Sequence, residues 1–269
     1  MMNFKHLILD LTDPKFPIIK LNRPDVRNAF DEVMIKELRN VLKRLKDSHD
    51  VRAIFLQGEG KAFSAGADIG WMQRMVNYTI ERNYEDAKEL AMLMSEVYNF
   101  PLPMIAIVHG AAIGGGVGLV AACDIALVRE ETIFALSEVK LGLIPAVISP
   151  YVLNAIGERA AHRYFLTGER FSAQTAKALG LAHELFDNDS FEKTIRELKV
   201  TLSQNSPIAM REAKALIQNT VRKPITPEMI DETISHIANM RVSETGQEGL
   251  NAFLQKRLPT WVKVTTSEN

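Results

Sequence analysis

From Met104 to Cys123 the chain is almost wholly apolar, yet it carries five glycines and His109. No other stretch constrains the fold as strongly. A membrane helix needs about 20 consecutive apolar residues, and the glycines at 110, 114, 115, 116 and 118 spoil that pattern. The segment instead predicts a buried strand (Met104 to Val108), a glycine-rich turn opening a helix (Gly114 to Ala122), and a second strand (Asp124 to Val128).

Other β-rich runs lie at Leu7 to Leu9, Pro17 to Leu21 and Val51 to Gln57. Between the last two, Ile35, Leu38, Leu42 and Leu45 recur at helical spacing, with Lys36, Arg39, Lys43 and Arg44 on the other faces. A second amphipathic helix is expected from Glu85 to Tyr98, ending before Pro101 and Pro103. Strands alternating with helices indicate an α/β core. Beyond Ile156 the pattern turns helical. Helix starts are marked by Ser172, by Ser206 with Pro207, and by Thr226 with Pro227. We therefore expect an α/β core over residues 1–200 and a helical C-terminal subdomain over 201–269.

The 269 residues are 46% hydrophobic, enough for a sizeable core without covalent staples. Lys and Arg total 32 against 33 Asp and Glu, so no global field draws the chain to nucleic acid or an anionic membrane. The single cysteine, Cys123, cannot form an internal disulfide. His6, His49, His162, His183 and His236 show no paired metal spacing, and no metal is expected. Residues Met1 to Asp10 lack the features of a secretory signal, so a cytoplasmic location is expected.

Two glycine-containing segments look like parts of one site, although either alone reads as readily as a tight turn after a strand. Phe63-Ser64-Ala65-Gly66-Ala67-Asp68 follows a strand, and Gly110 to Gly116 follows another and opens a helix. Amides at a helix start are unpaired donors at the positive end of the helix dipole, suited to an anion. Neither a phosphate-loop nor a dinucleotide-binding fingerprint is present, because no Gly-Lys-Ser/Thr follows and the glycines read Gly-Gly-Gly-Val-Gly. Glu138 sits among Phe134, Ala135, Leu136, Val139 and Leu141, surroundings that raise a carboxyl pKa toward the working range of an acid/base group. Asp68 is placed to cap the next helix. Ser149 has no visible base, and His109 reads as structural.

Taken in order, Asn22-Arg23-Pro24, Arg27-Asn28-Ala29, Phe63 to Asp68, Gly114 to Gly116, Cys123-Asp124, Ser137-Glu138, Gly142-Leu143-Ile144-Pro145 and Gly180-Leu181 resemble the enoyl-CoA hydratase/isomerase (crotonase) superfamily over roughly residues 15–260. The block from Ser137 to Glu184 is most similar to bacterial methylglutaconyl-CoA hydratases of leucine breakdown. The resemblance implies a crotonase-like ββα spiral core, a homotrimer or dimer of trimers, and a coenzyme A thioester substrate with no tightly bound cofactor. It makes the amides of Ala67 and Gly115 an oxyanion hole and Glu138 the proton carrier. It places Arg27, Ala65, Asp68, Phe253 and Lys256 near coenzyme A, and Trp71, Met72, Arg74 and Met75 in the pocket wall, with Arg74 able to meet a second substrate carboxylate.

The chain departs from the family at Gly118, where such hydratases usually carry a second glutamate. Hydration through Glu138 alone is the leading expectation, and double-bond isomerisation is the alternative. A side chain at 118 could restore the second carboxylate if the pocket has room. A third alternative, RNA binding through the Lys36-to-Lys46 helix, follows a mammalian relative. Glu32, Glu37, Asp47 and Asp50 dilute that patch, and the sequence pI is about 6.6.

Overall fold

The computed structural model describes residues 4–48 and 50–262. His49, the first three residues of the Met1–Asp10 segment and the last seven of the C-terminal subdomain lie outside them. The chain divides into two compact units after Thr194, rather than at residue 200.

Among the described residues, nine strands of the first unit make two sheets. The larger contains β1 (Leu7–Asp10), β2 (Ile18–Leu21), β3 (Ile54–Gly58), β4 (Met104–Val108), β6 (Ile125–Arg129) and β9 (Glu184–Phe186), paired in that order. Only β1 and β2 pair antiparallel; the remaining ladders are parallel. The smaller sheet joins β5 (Ala111–Ile113), β7 (Ile133–Ala135) and β8 (Arg170–Ser172). From β4 to β7 successive strands alternate between the sheets. β4 enters the large sheet, β5 the small one, and α4 (Gly115–Ala122) follows; β6 and β7 repeat the move before α5 (Ser149–Thr167). This is the ββα spiral of the crotonase fold.

Sequence explains the placement. All five residues of β4 are buried, as a central parallel strand requires. α1 (Glu32–Leu45) buries Met34, Ile35, Leu38, Val41, Leu42 and Leu45, and Asp31 caps it by accepting from the Met34 amide at 2.8 Å. α2 (Ile69–Met75) is capped by Asp68, as expected. α3 (Ile80–Tyr98) starts one turn earlier than its periodicity predicts, at the Thr79 cap.

α6 (Ala173–Leu179) and the first residues of α7 (Phe191–Gln204) complete the first unit. The second unit is helical, with α8 (Pro207–Thr220) capped by Ser206, α9 (Pro227–Val242) capped by Thr226 and α10 (Glu244–Leu254) capped by Ser243. No helix among the described residues is long and apolar enough to cross a membrane.

Candidate active site

The site is built where three segments meet at the start of α4. The segment 64–68 is pinned at two points by parallel bridges. At the first, the Ser64 amide donates to the Ala111 carbonyl (3.1 Å) and the Ile113 amide to the Ser64 carbonyl (2.9 Å). At the second, the Phe30 amide donates to the Gly66 carbonyl (2.7 Å) and the Asp68 amide to the Phe30 carbonyl (2.8 Å). Phe30 thus bonds to the two neighbours of Ala67, and by the geometry of a parallel bridge the Ala67 N–H points to the other side. It has no protein acceptor among the described residues, and Ala67 is exposed.

Gly66 makes this turn possible. Its φ is +93°, and a side chain there would press on the Ile113 carbonyl at 3.3 Å. On the facing segment Gly114 has φ +51° and donates to the Ala135 carbonyl at 2.8 Å, which turns the chain from β5 into α4. The Gly115 amide is then first in the helix, without an intrahelical acceptor and partly open to solvent. A methyl group on Gly116 would stand 2.8 Å from the Ser64 carbonyl, so glycine is what lets the two segments touch.

Glu138 opens the 3₁₀ turn 138–141 after β7, and its carboxyl lies against Gly114. A methyl group on that glycine would sit 2.9 Å from Oε1. Oε2 is buried with no hydrogen-bond partner. Burial raises the Glu138 pKa above the ordinary carboxylate range, only partly opposed by its own backbone amide. A partly buried carboxyl, unpaired on one oxygen and set against the glycine that precedes the free Gly115 amide, has the raised pKa that suits a proton carrier.

One helical turn beyond Gly114 on the same face stands Gly118. The room on which a side chain at 118 would depend is missing. A methyl group on Gly118 would lie 2.6 Å from the Cβ of Ile148 and closer still to its Cγ2. Ile148 is 3% exposed and leads into α5. The volume that a glutamate at 118 would need is filled by a branched aliphatic side chain.

The other expected residues separate. The Arg27 side chain is exposed and makes no hydrogen bond or ion pair among the described residues, while its carbonyl accepts from the Ala65 amide at 2.9 Å. Arg27 and Ala65 are therefore brought together at the edge of the site. Both oxygens of Asp68 are engaged, Oδ1 by the Trp71 amide (3.0 Å) and Oδ2 by Arg23 Nη2 (2.9 Å). Burial alone would raise the Asp68 pKa, but these bonds outweigh it and the net shift is downward. Arg74 is held by both oxygens of Glu32. Trp71 is buried and donates to Asp86 at 3.1 Å. Phe253, 82% exposed, lies on α10, and Lys256 follows it; both belong to the second unit.

His109 bonds the Gly60 carbonyl through Nε2 at 3.0 Å, and the Ser149 hydroxyl donates to the Ala146 carbonyl. No cluster among the described residues could hold a metal ion. A groove of about 970 Å³ lies between α1 and α3, away from Glu138, and mixes Lys36, Arg39, Lys43 and Lys46 with Glu32, Glu85, Glu89 and Glu96. Arg39 is spent on Glu89 and Glu96. Sequence reasoning assigned no role to Arg23 or Ile148. The Asn22-Arg23-Pro24 motif drew attention to the first, whereas nothing local signals that residue 148 covers residue 118.

The fold and this cluster give an α/β protein in which an open helix start, with the free Gly115 amide, lies beside a partly buried carboxyl. Residues 16–264 match the family model described as enoyl-CoA hydratase/isomerase. A solved enoyl-CoA hydratase from Shewanella pealeana superposes with a TM-score of 0.93 at 46% identity, covering 96% of this chain and 97% of that one. A Thermus thermophilus protein whose name gives enoyl-CoA hydratase provisionally is 36% identical over 90% of this chain and 95% of its own length. The 2,3-dehydroadipyl-CoA hydratase of Escherichia coli is 28% identical over 90% and 93%. The chain belongs to the enoyl-CoA hydratase/isomerase family, and it is an enzyme of the hydratase type.

Proposed function

We propose that this enzyme adds water across the 2,3 double bond of an enoyl-CoA thioester with Glu138 as its only proton carrier. The observation that carries the reading is the Glu138 carboxyl set against Gly114, with one oxygen buried and unpartnered, while Ile148 fills the place of any second carboxylate above Gly118.

In this mechanism the thioester oxygen takes the free amides of Ala67 and Gly115. Ionised Glu138 removes a proton from water as its oxygen bonds to the β carbon, and the π electrons move onto the thioester oxygen. The enolate then collapses, and Glu138 returns the same proton to the α carbon. Water is consumed and the carboxylate regenerated. Fixed backbone donors need no reorganisation as the charge develops, and one such donor contributes about 2.7–4 kcal/mol. Arg27, unpaired beside Ala65, is the residue we assign to a coenzyme A phosphate.

Double-bond isomerisation needs only one base too, so the carboxylate count does not separate the reactions. Incubation with a 2-enoyl-CoA in heavy-oxygen water does. Hydration places label on the β carbon, whereas isomerisation adds none. No oxygen uptake, together with rapid conversion of a 3-enoyl to a 2-enoyl thioester, would overturn the reading. The similarity of Ser137 to Glu184 to methylglutaconyl-CoA hydratases makes 3-methylglutaconyl-CoA the first acyl group to test. Glu32 already holds Arg74, so a distal carboxylate must find another cation or displace that pair.

We also propose a homotrimer or dimer of trimers in the cytosol. Ile230, Ile234 and Ile237 recur along α9 at helical spacing and are each about half exposed, an apolar stripe that a second copy would cover.

A further inference from the structure

We propose that Arg23 is a positioning residue that fixes the direction of the Ala67 amide; this rests on the reading above that Ala67 receives the thioester oxygen. The guanidinium spans two helix caps. Nη2 donates to Asp68 Oδ2 at 2.9 Å, and Nη1 donates to the Ala29 carbonyl at 2.7 Å and lies 3.4 Å from Asp31 Oδ2. Asp68 and Asp31 flank the Phe30–Ala67 bridge, one residue beyond each member. A single planar cation therefore ties together the far ends of the two segments whose pairing aims the Ala67 N–H outward.

The near ends are tied through the same residue. The Arg23 amide donates to Asn28 Oδ1 at 2.8 Å and its carbonyl accepts from the Asn28 amide at 2.9 Å. Asn28 is fully buried at φ +55°, and its Nδ2 donates to the Glu59 and Ala62 carbonyls, both at 2.8 Å. Its own carbonyl accepts from the Ser64 hydroxyl at 2.9 Å. Residues 27–31 thus form a brace along 62–68, with Arg23 at both ends of it. The Phe30 ring in this brace also backs Gly115, where a methyl group would meet it at 3.4 Å. Both amides assigned to the thioester oxygen lean on the segment Arg23 holds.

Lysine cannot replace this fork, because a point charge cannot reach two carboxylates and a carbonyl in one plane. Loss of the fork should loosen the aim of one donor without removing any group that touches ground-state substrate. Such a change lowers kcat and leaves KM nearly constant. Complete loss of an oxyanion donor costs roughly 10²- to 10³-fold in kcat, so a misdirected donor should cost on the order of 10- to 100-fold.

The test compares wild type with Arg23→Met and Arg23→Lys, the latter retaining charge so that a folded variant is available. Three quantities are read: kcat, KM and the acidity of bound acetoacetyl-CoA, whose ultraviolet band reports its enolate. The expected result is a fall in kcat of about 10-fold or more in both variants, KM within about threefold, and a smaller enolate fraction at fixed pH. Variants that lose only thermal stability, with kcat and enolate fraction at wild-type values, overturn the proposal. Failure of the underlying reading looks different: wild type itself would bind acetoacetyl-CoA without favouring the enolate.

Discussion

Placing a glutamate at position 118 is the obvious way to give this enzyme the second carboxylate that the family resemblance implies, and the Ile148 contact predicts that it fails. Ordinary carbon contacts lie near 3.5–4.0 Å, whereas the first side-chain atom at 118 would stand 2.6 Å from Ile148 Cβ. That atom is bonded directly to the backbone, so rotating the side chain cannot clear it. Relief requires moving the start of α5, and overpacking of this kind costs about 1–3 kcal/mol. Burying an unpaired carboxyl adds roughly 1–3 kcal/mol even if it stays protonated. We expect Gly118→Glu to lose about 2–6 kcal/mol by the sum of these two terms, which lowers Tm by about 2–4 °C per kcal/mol for a chain of this size. Urea denaturation and initial rates on a short 2-enoyl-CoA measure both consequences, and hydration should fall. Ile148→Gly removes the colliding Cβ, so Gly118→Glu/Ile148→Gly should be more stable than the two single losses add to, by about 1–3 kcal/mol in a double-mutant cycle. A Gly118→Ala protein as stable as wild type would refute the reasoning, since it carries the same first atom.

Four further outcomes are expected. Glu138→Gln should fold, bind coenzyme A and lose about 10²- to 10⁴-fold in kcat; turnover within threefold of wild type would remove Glu138 from the mechanism. Because burial raises the folded pKa of Glu138 above its ordinary value, its ionisation opposes folding: the native state is favoured below the unfolded pKa, and that advantage is lost as pH rises through the folded pKa. Glu138→Gln should therefore be more stable than wild type near neutrality, with the difference vanishing in acid. The wild-type kcat/KM profile should fall in acid with an apparent pKa above that of an ordinary glutamate. Light scattering should give a particle of at least three times the 30.1 kDa chain mass; a monomer at working concentration contradicts the trimer.

Much of this was legible in the chain. The strands at 104–108 and 125–129 and the helix at 115–122 follow from an apolar stretch divided by glycines, and α1 follows from period alone. Elements of three residues, such as β5, β7, β8 and β9, are too short to show alternation, and they exist because the spiral supplies partners. α5 hid for another reason. Gly157 sits inside it at φ +75°, ψ +163°, so the helix is two shorter pieces with no common stripe. Glu138 was recognisable from its match to the family motif, which its apolar neighbours only reinforced, but the occupation of the space above Gly118 by a residue thirty positions away is a tertiary fact. Arg23 was visible as part of a motif, and its double hold on Asp31 and Asp68 was not.

The beginning of α4 shows how the proposed site is assembled without a carboxylate at 118. Glycine costs about 1 kcal/mol per residue in a helix interior relative to alanine, and Gly115-Gly116-Val-Gly118 is a poor helix on propensity alone. Each glycine is instead a contact with a different segment: Gly114 receives the Glu138 carboxyl, Gly115 the Phe30 ring, Gly116 the Ser64 backbone and Gly118 the Ile148 side chain. Four separate parts of the chain converge on one short helix because it has no side chains in their way. The proposed proton carrier and both proposed oxyanion donors stand at one end of that convergence, and Ile148 packs one turn further along. Gly118 packed on Ile148 thus leaves Glu138 and the two amides in place and puts an apolar wall where the family resemblance implies a carboxylate. On the proposed mechanism the consequence is chemical rather than architectural: every proton the reaction moves would pass through Glu138.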